Sequence, residues 1–150
     1  MKAFSPPDFP TITGKKSLFL GGSIEMGKAR NWQQEVIDLF DLPYPRDLII
    51  LNPRRKDWDS TWEQDIKSPQ FYQQVQWELT YLEQCTHRIF YFAQNTISPI
   101  TLMELGKFGH LPNTYVCVQT GYEKEGNVDI FCHRYNIPML YSLAQLKTIL

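Results

Sequence analysis

Short apolar runs recur along the chain, separated by longer stretches whose apolar positions fall three and four residues apart. The runs are SLFLGG (17–22), DLIILN (47–52), RIFYFA (88–93) and TYVCVQT (114–120), with a brief one from Pro138 to Tyr141. None alternates strictly between apolar and polar residues, as expected of strands covered on both faces. Between them, NWQQEVIDLF sets Trp32, Val36, Ile37 and Phe40 at helical spacing, and Phe71 to Cys85, Leu102 to Gly109, Val128 to Arg134 and SLAQLKTIL complete the alternation. Strands alternating with helices predict a doubly wound α/β fold, a mainly parallel five-stranded sheet with helices on both faces. The first sixteen residues, interrupted by Pro6, Pro7 and Pro10, read as an extended arm or edge segment, and residues 17–150 as a single domain.

A doubly wound sheet takes its ligands beyond the carboxyl ends of its strands, near the switch in strand order. That rule singles out GGSIEMGKAR, the irregular polar segment beginning NPRRKDW, and AQNTISPITLMELG. Charge narrows the partners: 15 Lys and Arg against 16 Asp and Glu, without a basic stripe, argue against a nucleic-acid polymer or a membrane surface. Three cysteines without CxxC spacing and three scattered histidines form neither a metal set nor a disulfide framework, so no metal or cofactor is expected. The prolines of the arm break any secretory signal and no run is long enough for a membrane span, which places the expected location in the cytoplasm.

Two carboxylates stand where burial would favour aliphatic residues. A stripe at spacing 4, 3, 4 runs through Phe71, Val75, Glu78 and Leu82, and Glu104 lies among Ile100, Leu102, Met103, Leu105 and Gly106 in a helix starting at Ser98-Pro99. An ionised acid in such a place must be hydrogen-bonded, paired or open to a cleft. Other readings stay open: Glu78 solvated at the rim of its stripe, Glu104 closing a capping box in TLME or pairing with Lys107. Together the two resemble an acid pair for cleaving a glycosidic bond. Gly21, Gly22 and Ser23 permit close approach of a sugar or phosphate, or form only a tight strand-to-helix turn. Asn52, Arg54, Trp58 and Trp62 could bond and stack on a base or anchor a solvated loop, the latter being the reading for Arg55 and Lys56.

LFLGGSI, NPRR with its following Trp58, QVQWELTYLEQC and SPITLMELGKFG, in this order and spacing, resemble the nucleoside 2-deoxyribosyltransferase superfamily, particularly its shorter deoxyribosyltransferase-like branch, over roughly residues 17 to 120. The resemblance implies a flavodoxin-like domain, assembled as a homo-oligomer (dimer or higher), that acts on small-molecule 2'-deoxynucleosides and free nucleobases. It implies that Glu104 of MELG is the nucleophile and that Glu78, where the family often has aspartate, assists the departing base. Ser98 and Gly21-Gly22-Ser23 match positions that hold the sugar or its 5' substituent, and Asn127 and Asp129 are candidates to complete a neighbouring subunit's site. The chain departs from the pattern in its first strand, where Leu18-Phe19-Leu20 lacks the tyrosine that positions the nucleophile; Tyr91 and Tyr141 are candidate replacements. Cys85-Thr86 and Ile100-Thr101 replace the usual AD and GT.

The resulting expectation is a two-step retaining transfer. Glu104, kept ionised near a helix start, attacks the anomeric carbon while Glu78 serves the leaving base, and a second base then displaces the glycosyl-enzyme. The alternatives are a nucleoside or 5'-monophosphate hydrolase, for which Lys28 and Arg30 offer cations, and a nucleotide-binding module without chemistry.

Overall fold

The computed structural model describes residues 1–25, 29–41, 47–59 and 61–150. Six strands and five α-helices follow in the order β1 (Lys2–Phe4), β2 (Ser17–Gly22), α1 (Trp32–Asp41), β3 (Ile49–Leu51), α2 (Pro69–Gln84), β4 (His87–Phe92), α3 (Pro99–Phe108), β5 (Thr114–Val118), α4 (Glu125–Tyr135), β6 (Met139–Leu140) and α5 (Leu146–Ile149), the last preceded by a 3-10 turn at Leu143–Gln145. The strands form one sheet in the order β1-β3-β2-β4-β5-β6, and every pair is parallel.

Side chains alternate across this sheet and divide the core into two layers. Phe19, Leu51, Phe90, Phe92 and Val116 pack beneath α2, α3 and α4, against Trp77, Leu82, Leu105, Phe108 and Val128. Leu18, Leu20, Ile50, Ile89 and Tyr91 face the other way, against Trp32, Val36 and Phe40 of α1 and Leu143 and Leu146 at the C-terminus. Glu78 and Glu104 therefore belong to helices on the same face.

The sheet has six strands where the sequence predicts five, and the additional one comes from the N-terminal arm. Lys2, Ala3 and Phe4 pair with Ile49, Ile50 and Leu51, and the Asn52 N–H donates to the Phe4 carbonyl at 2.9 Å. Three residues reading KAF carry no apolar run; backbone pairing fixes this edge strand, which is why the pattern did not show it. Further along, the arm crosses α2, where Trp77 Nε1 donates to the Asp8 carbonyl at 2.7 Å and the Tyr81 hydroxyl to the Pro10 carbonyl at 2.9 Å.

Helix α2 also sits differently from its predicted stripe. The buried positions are Gln74, Trp77, Tyr81 and Leu82, whereas Phe71, Val75 and Glu78 are half-buried along one flank. The arm accounts for the rotation, because it gives Trp77 and Tyr81 a second surface to cover. The helix ends over Arg88, a buried guanidinium that donates to the carbonyls of Leu82, Glu83 and Cys85 and meets the orphan acceptors of the last turn.

Candidate active site

The strand order reverses between β2 and β4, so the crevice beyond their carboxyl ends is the switch point of the fold. Gly21 and Gly22 lie opposite Phe90 and Tyr91 there. A Cβ on Gly22 would fall 2.4 Å from the Tyr91 carbonyl oxygen and 2.6 Å from the Trp32 ring, and one on Gly21 would fall 2.9 Å from the Phe90 ring. Protein neighbours already take up the space these glycines leave. Gly22→Ala is accordingly expected to lower stability by about 2 kcal/mol or more, seen as an earlier urea midpoint. An unchanged midpoint would show that Trp32 and β4 yield to the methyl group.

Beyond Gly22 the chain turns inward at Ser23, whose hydroxyl lies 2.9 Å from that of Thr96, beside that of Ser98, and accepts the Ala93 N–H at 3.0 Å. This buried hydroxyl cluster joins the first loop to the loop before α3. Ser98 is the N-cap residue of α3 as predicted, but it adopts a left-handed conformation (φ 52°, ψ 51°) and makes no side-chain cap. The Glu25 carboxylate instead holds the loop leading into the helix, accepting the N–H groups of Ile97 at 3.2 Å and Ser98 at 2.8 Å.

Glu104 is 7% exposed, on the second turn of α3 beside Thr101, Leu105 and Phe108. With the helix starting at Pro99, it lies three residues too late for a capping box. Lys107 and Gly106 are exposed, no ion pair to Lys107 forms among the described residues, and Gly106 has open space where a side chain would be. Glu78 is half-buried as a residue, yet its carboxyl end is enclosed and accepts a hydrogen bond from Gln74 Nε2 at 2.8 Å. Gln74, one helical turn earlier, is a partner of Glu78 that the sequence reading did not single out; its i, i+4 spacing to Glu78 was the available signal.

Burial raises the Glu78 pKa to about 7, against the opposing pull of the Gln74 N–H. Burial, and then the charge of Glu78, hold Glu104 well above the ordinary carboxylate range. Burial pushes both carboxyls toward the protonated form, and the charge on one disfavours ionisation of the other. This corrects the expectation that the helix start keeps Glu104 ionised: the dipole effect fades within the first turn, whereas Glu104 lies in the second and is desolvated.

Neither tyrosine considered as a positioning group faces this pair. Tyr91 is on the opposite side of the sheet and donates to Gln119 Oε1 at 3.2 Å, and Tyr141 is 97% exposed. Around β3, Asn52 is buried and accepts the Arg54 N–H at 3.0 Å. The Arg54 guanidinium donates to Gln33 Oε1 and to the carbonyls of Ala29 and Arg30, each at 3.2 Å, tying this loop to the first loop. Trp58 packs edge-on against Trp62 at 5.3 Å, and its buried Nε1 has no hydrogen-bond partner among the described residues. Arg55 is not solvated as expected: its side chain is 5% exposed, paired with Asp57 at 2.7 Å and laid over the Trp62 ring.

A cavity of about 390 Å³ opens beyond the ends of β2, β4 and β5, lined by Glu25, Arg30, Gln94, Asn95, Thr96 and Gln119 among others. It reaches the hydroxyl cluster through Thr96, but neither Glu78 nor Glu104 lines it. Arg30 is engaged with Glu35 at 2.7 Å, and Lys28 lies outside the described residues. Asn127 and Asp129 are exposed on α4 and do not line the cavity. Among the described residues no group of three or more His, Cys, Asp or Glu is arranged to hold a metal ion, and no helix is long and apolar enough to cross a membrane.

A six-stranded parallel α/β sheet with helices on both faces is a flavodoxin-like fold, and here it carries two enclosed carboxyls, Glu78 and Glu104, on helices of one face. The family described as nucleoside 2-deoxyribosyltransferase like matches residues 15–122, and the chain belongs to it. The matched segment runs from the start of β2 through α3 and β5 and includes both glutamates. No curated protein matches the chain.

Proposed function

We propose that the protein exchanges the base of 2'-deoxynucleosides through a covalent deoxyribosyl-glutamate intermediate. The observation that supports this most is the coupled pair of enclosed carboxyls, Glu78 and Glu104, on one face of the sheet beside its switch point. The reactive form is the one in which the pair holds a single proton: as the anomeric carbon gains positive charge beside Glu104, that carboxyl is ionised and the shared proton rests on Glu78. Glu78 gives the proton to the departing base while the carbon–nitrogen bond breaks and the Glu104 oxygen bonds to the anomeric carbon. In the second step an incoming base attacks that carbon through nitrogen, its proton goes to Glu78, and Glu104 leaves as a carboxylate.

The hydroxyls of Ser23 and Ser98 and the cavity beyond Thr96 are suited to a sugar and its 5' hydroxyl. Asn52, Arg54 and Trp58, with Gly21 and Gly22, shape the surrounding loops. Assembly as a homo-oligomer is supported by Ile97, Ile100 and Met103, which are 56%, 56% and 62% exposed around the start of α3. Asn127 and Asp129 would serve a neighbouring subunit in such an assembly.

Incubation with 2'-deoxyadenosine and free cytosine is expected to yield 2'-deoxycytidine and adenine. Release of adenine and free sugar without the new nucleoside would mark a hydrolase instead. Thermal stabilisation by nucleosides without turnover would mark a binding module.

A further inference from the structure

Gln74 is 5% exposed, and its amide is held from two sides: Nε2 donates to the Pro53 carbonyl at 2.9 Å and to Glu78 Oε1 at 2.8 Å. A primary amide has two hydrogens, and both are used here. The amide cannot be turned over, because Oε1 would then meet the Pro53 carbonyl, which only accepts. Oε1 itself is buried and has no hydrogen-bond partner among the described residues. A buried acceptor is normally paired, so this one asks for a donor that the described residues do not supply.

We propose that the Gln74 carbonyl oxygen reads the leaving base by accepting an N–H from its exocyclic amino group, so that the site takes amino-bearing bases in preference to their oxo counterparts. This rests on the reading above, in which Glu78 addresses the departing base. Adenine carries the N7 acceptor and the N6 amino donor side by side on one edge. Glu78 and Gln74, joined by one hydrogen bond, present the complementary pair: a carboxyl proton to give and a carbonyl oxygen to accept. Cytosine offers the same order of groups at N3 and its N4 amino group. Hypoxanthine and guanine place O6 where adenine has its amino group, and uracil and thymine place O4 where cytosine has its own. Two acceptor oxygens would then face each other, and the Pro53 carbonyl prevents the amide from reversing to accommodate them. A site built around a fixed hydrogen-bonding group rejects a mismatched analogue far more strongly than an apolar pocket rejects a change of size.

The test compares kcat/KM for 2'-deoxyadenosine and 2'-deoxyinosine as donors to cytosine, in the full wild-type chain and in Gln74→Leu, with Gln74→Met as a second variant if the first does not fold. The wild type should favour deoxyadenosine by about 100-fold or more, and the variants should bring the ratio below about 10-fold, chiefly by losing deoxyadenosine turnover. A merely structural role for Gln74 would slow both donors together and leave their ratio unchanged. Equal use of both donors by the wild type, or a ratio that survives in the variants, overturns the assignment while leaving base exchange intact. A wild type that processes neither donor overturns the exchange reading and this assignment with it.

Discussion

Glu104→Gln should reduce base exchange by about 10⁴-fold or more while leaving the protein folded. The amide has nearly the shape of the carboxyl but cannot form the ester to the sugar, so the loss falls on kcat and leaves nucleoside affinity largely in place. Folding is not at risk, because the Glu104 carboxyl has no hydrogen-bond donor among the described residues and its ionised form is disfavoured by burial and by Glu78. A neutral side chain at this position relieves that conflict. Glu78→Gln should be milder, about 10²- to 10⁴-fold, since it removes proton transfer and not the nucleophile. Rapid mixing of each variant with 2'-deoxyadenosine, with adenine release and melting temperature recorded together, checks both points. A Glu104→Gln protein that exchanges bases at the normal rate would remove Glu104 from the chemistry.

The same pair should make the protein less stable as the pH rises from 5 to 8. Both carboxyls have folded-state pKa values above the ordinary range, to about 7 for Glu78 and well above 4.5 for Glu104. The folded protein thus keeps protons that the unfolded chain releases from about pH 4.5 upward. The stability this confers is complete below that pH and is lost as pH climbs through the folded values. For Glu78 alone the loss is on the order of 3 kcal/mol. His87, whose pKa is lowered first by burial and then by Lys16, works in the opposite direction below pH 6.5. The net fall in melting temperature should be roughly 5 °C or more. In a Glu78→Gln, Glu104→Gln double variant, which keeps His87, the decline should vanish. Should the double variant and the wild type lose stability in parallel, the carboxyls are not coupled by burial in solution.

The order of strands and helices was legible because the central strands β2, β3 and β4 are covered on both faces and so appear as apolar runs, as in LFLGG and RIFYF. The edge strand at Lys2 was legible only as one of two readings of the arm, since its pairing depends on backbone groups that any residue carries. Glu78 and Glu104 drew notice as acids among apolar neighbours, but periodicity could not tell a rim position from a pocket. That distinction came from the arm rotating α2 and from Gln74 reaching across to Pro53. The charge state was misjudged for a related reason: the start of a helix is visible in sequence, whereas the desolvation that outweighs its dipole is a property of the packed interior. Ser98 showed the same limit. Its position at the head of α3 was readable, but the carboxylate that fixes its backbone N–H comes from Glu25, far away in the chain.

The arm's grip on α2 has one more consequence. Asp8 and Pro10 hold Trp77 and Tyr81 from outside, yet residues 1–14 precede the segment shared with the family. The helix that carries Glu78 is therefore braced from outside by residues that lie beyond the matched segment.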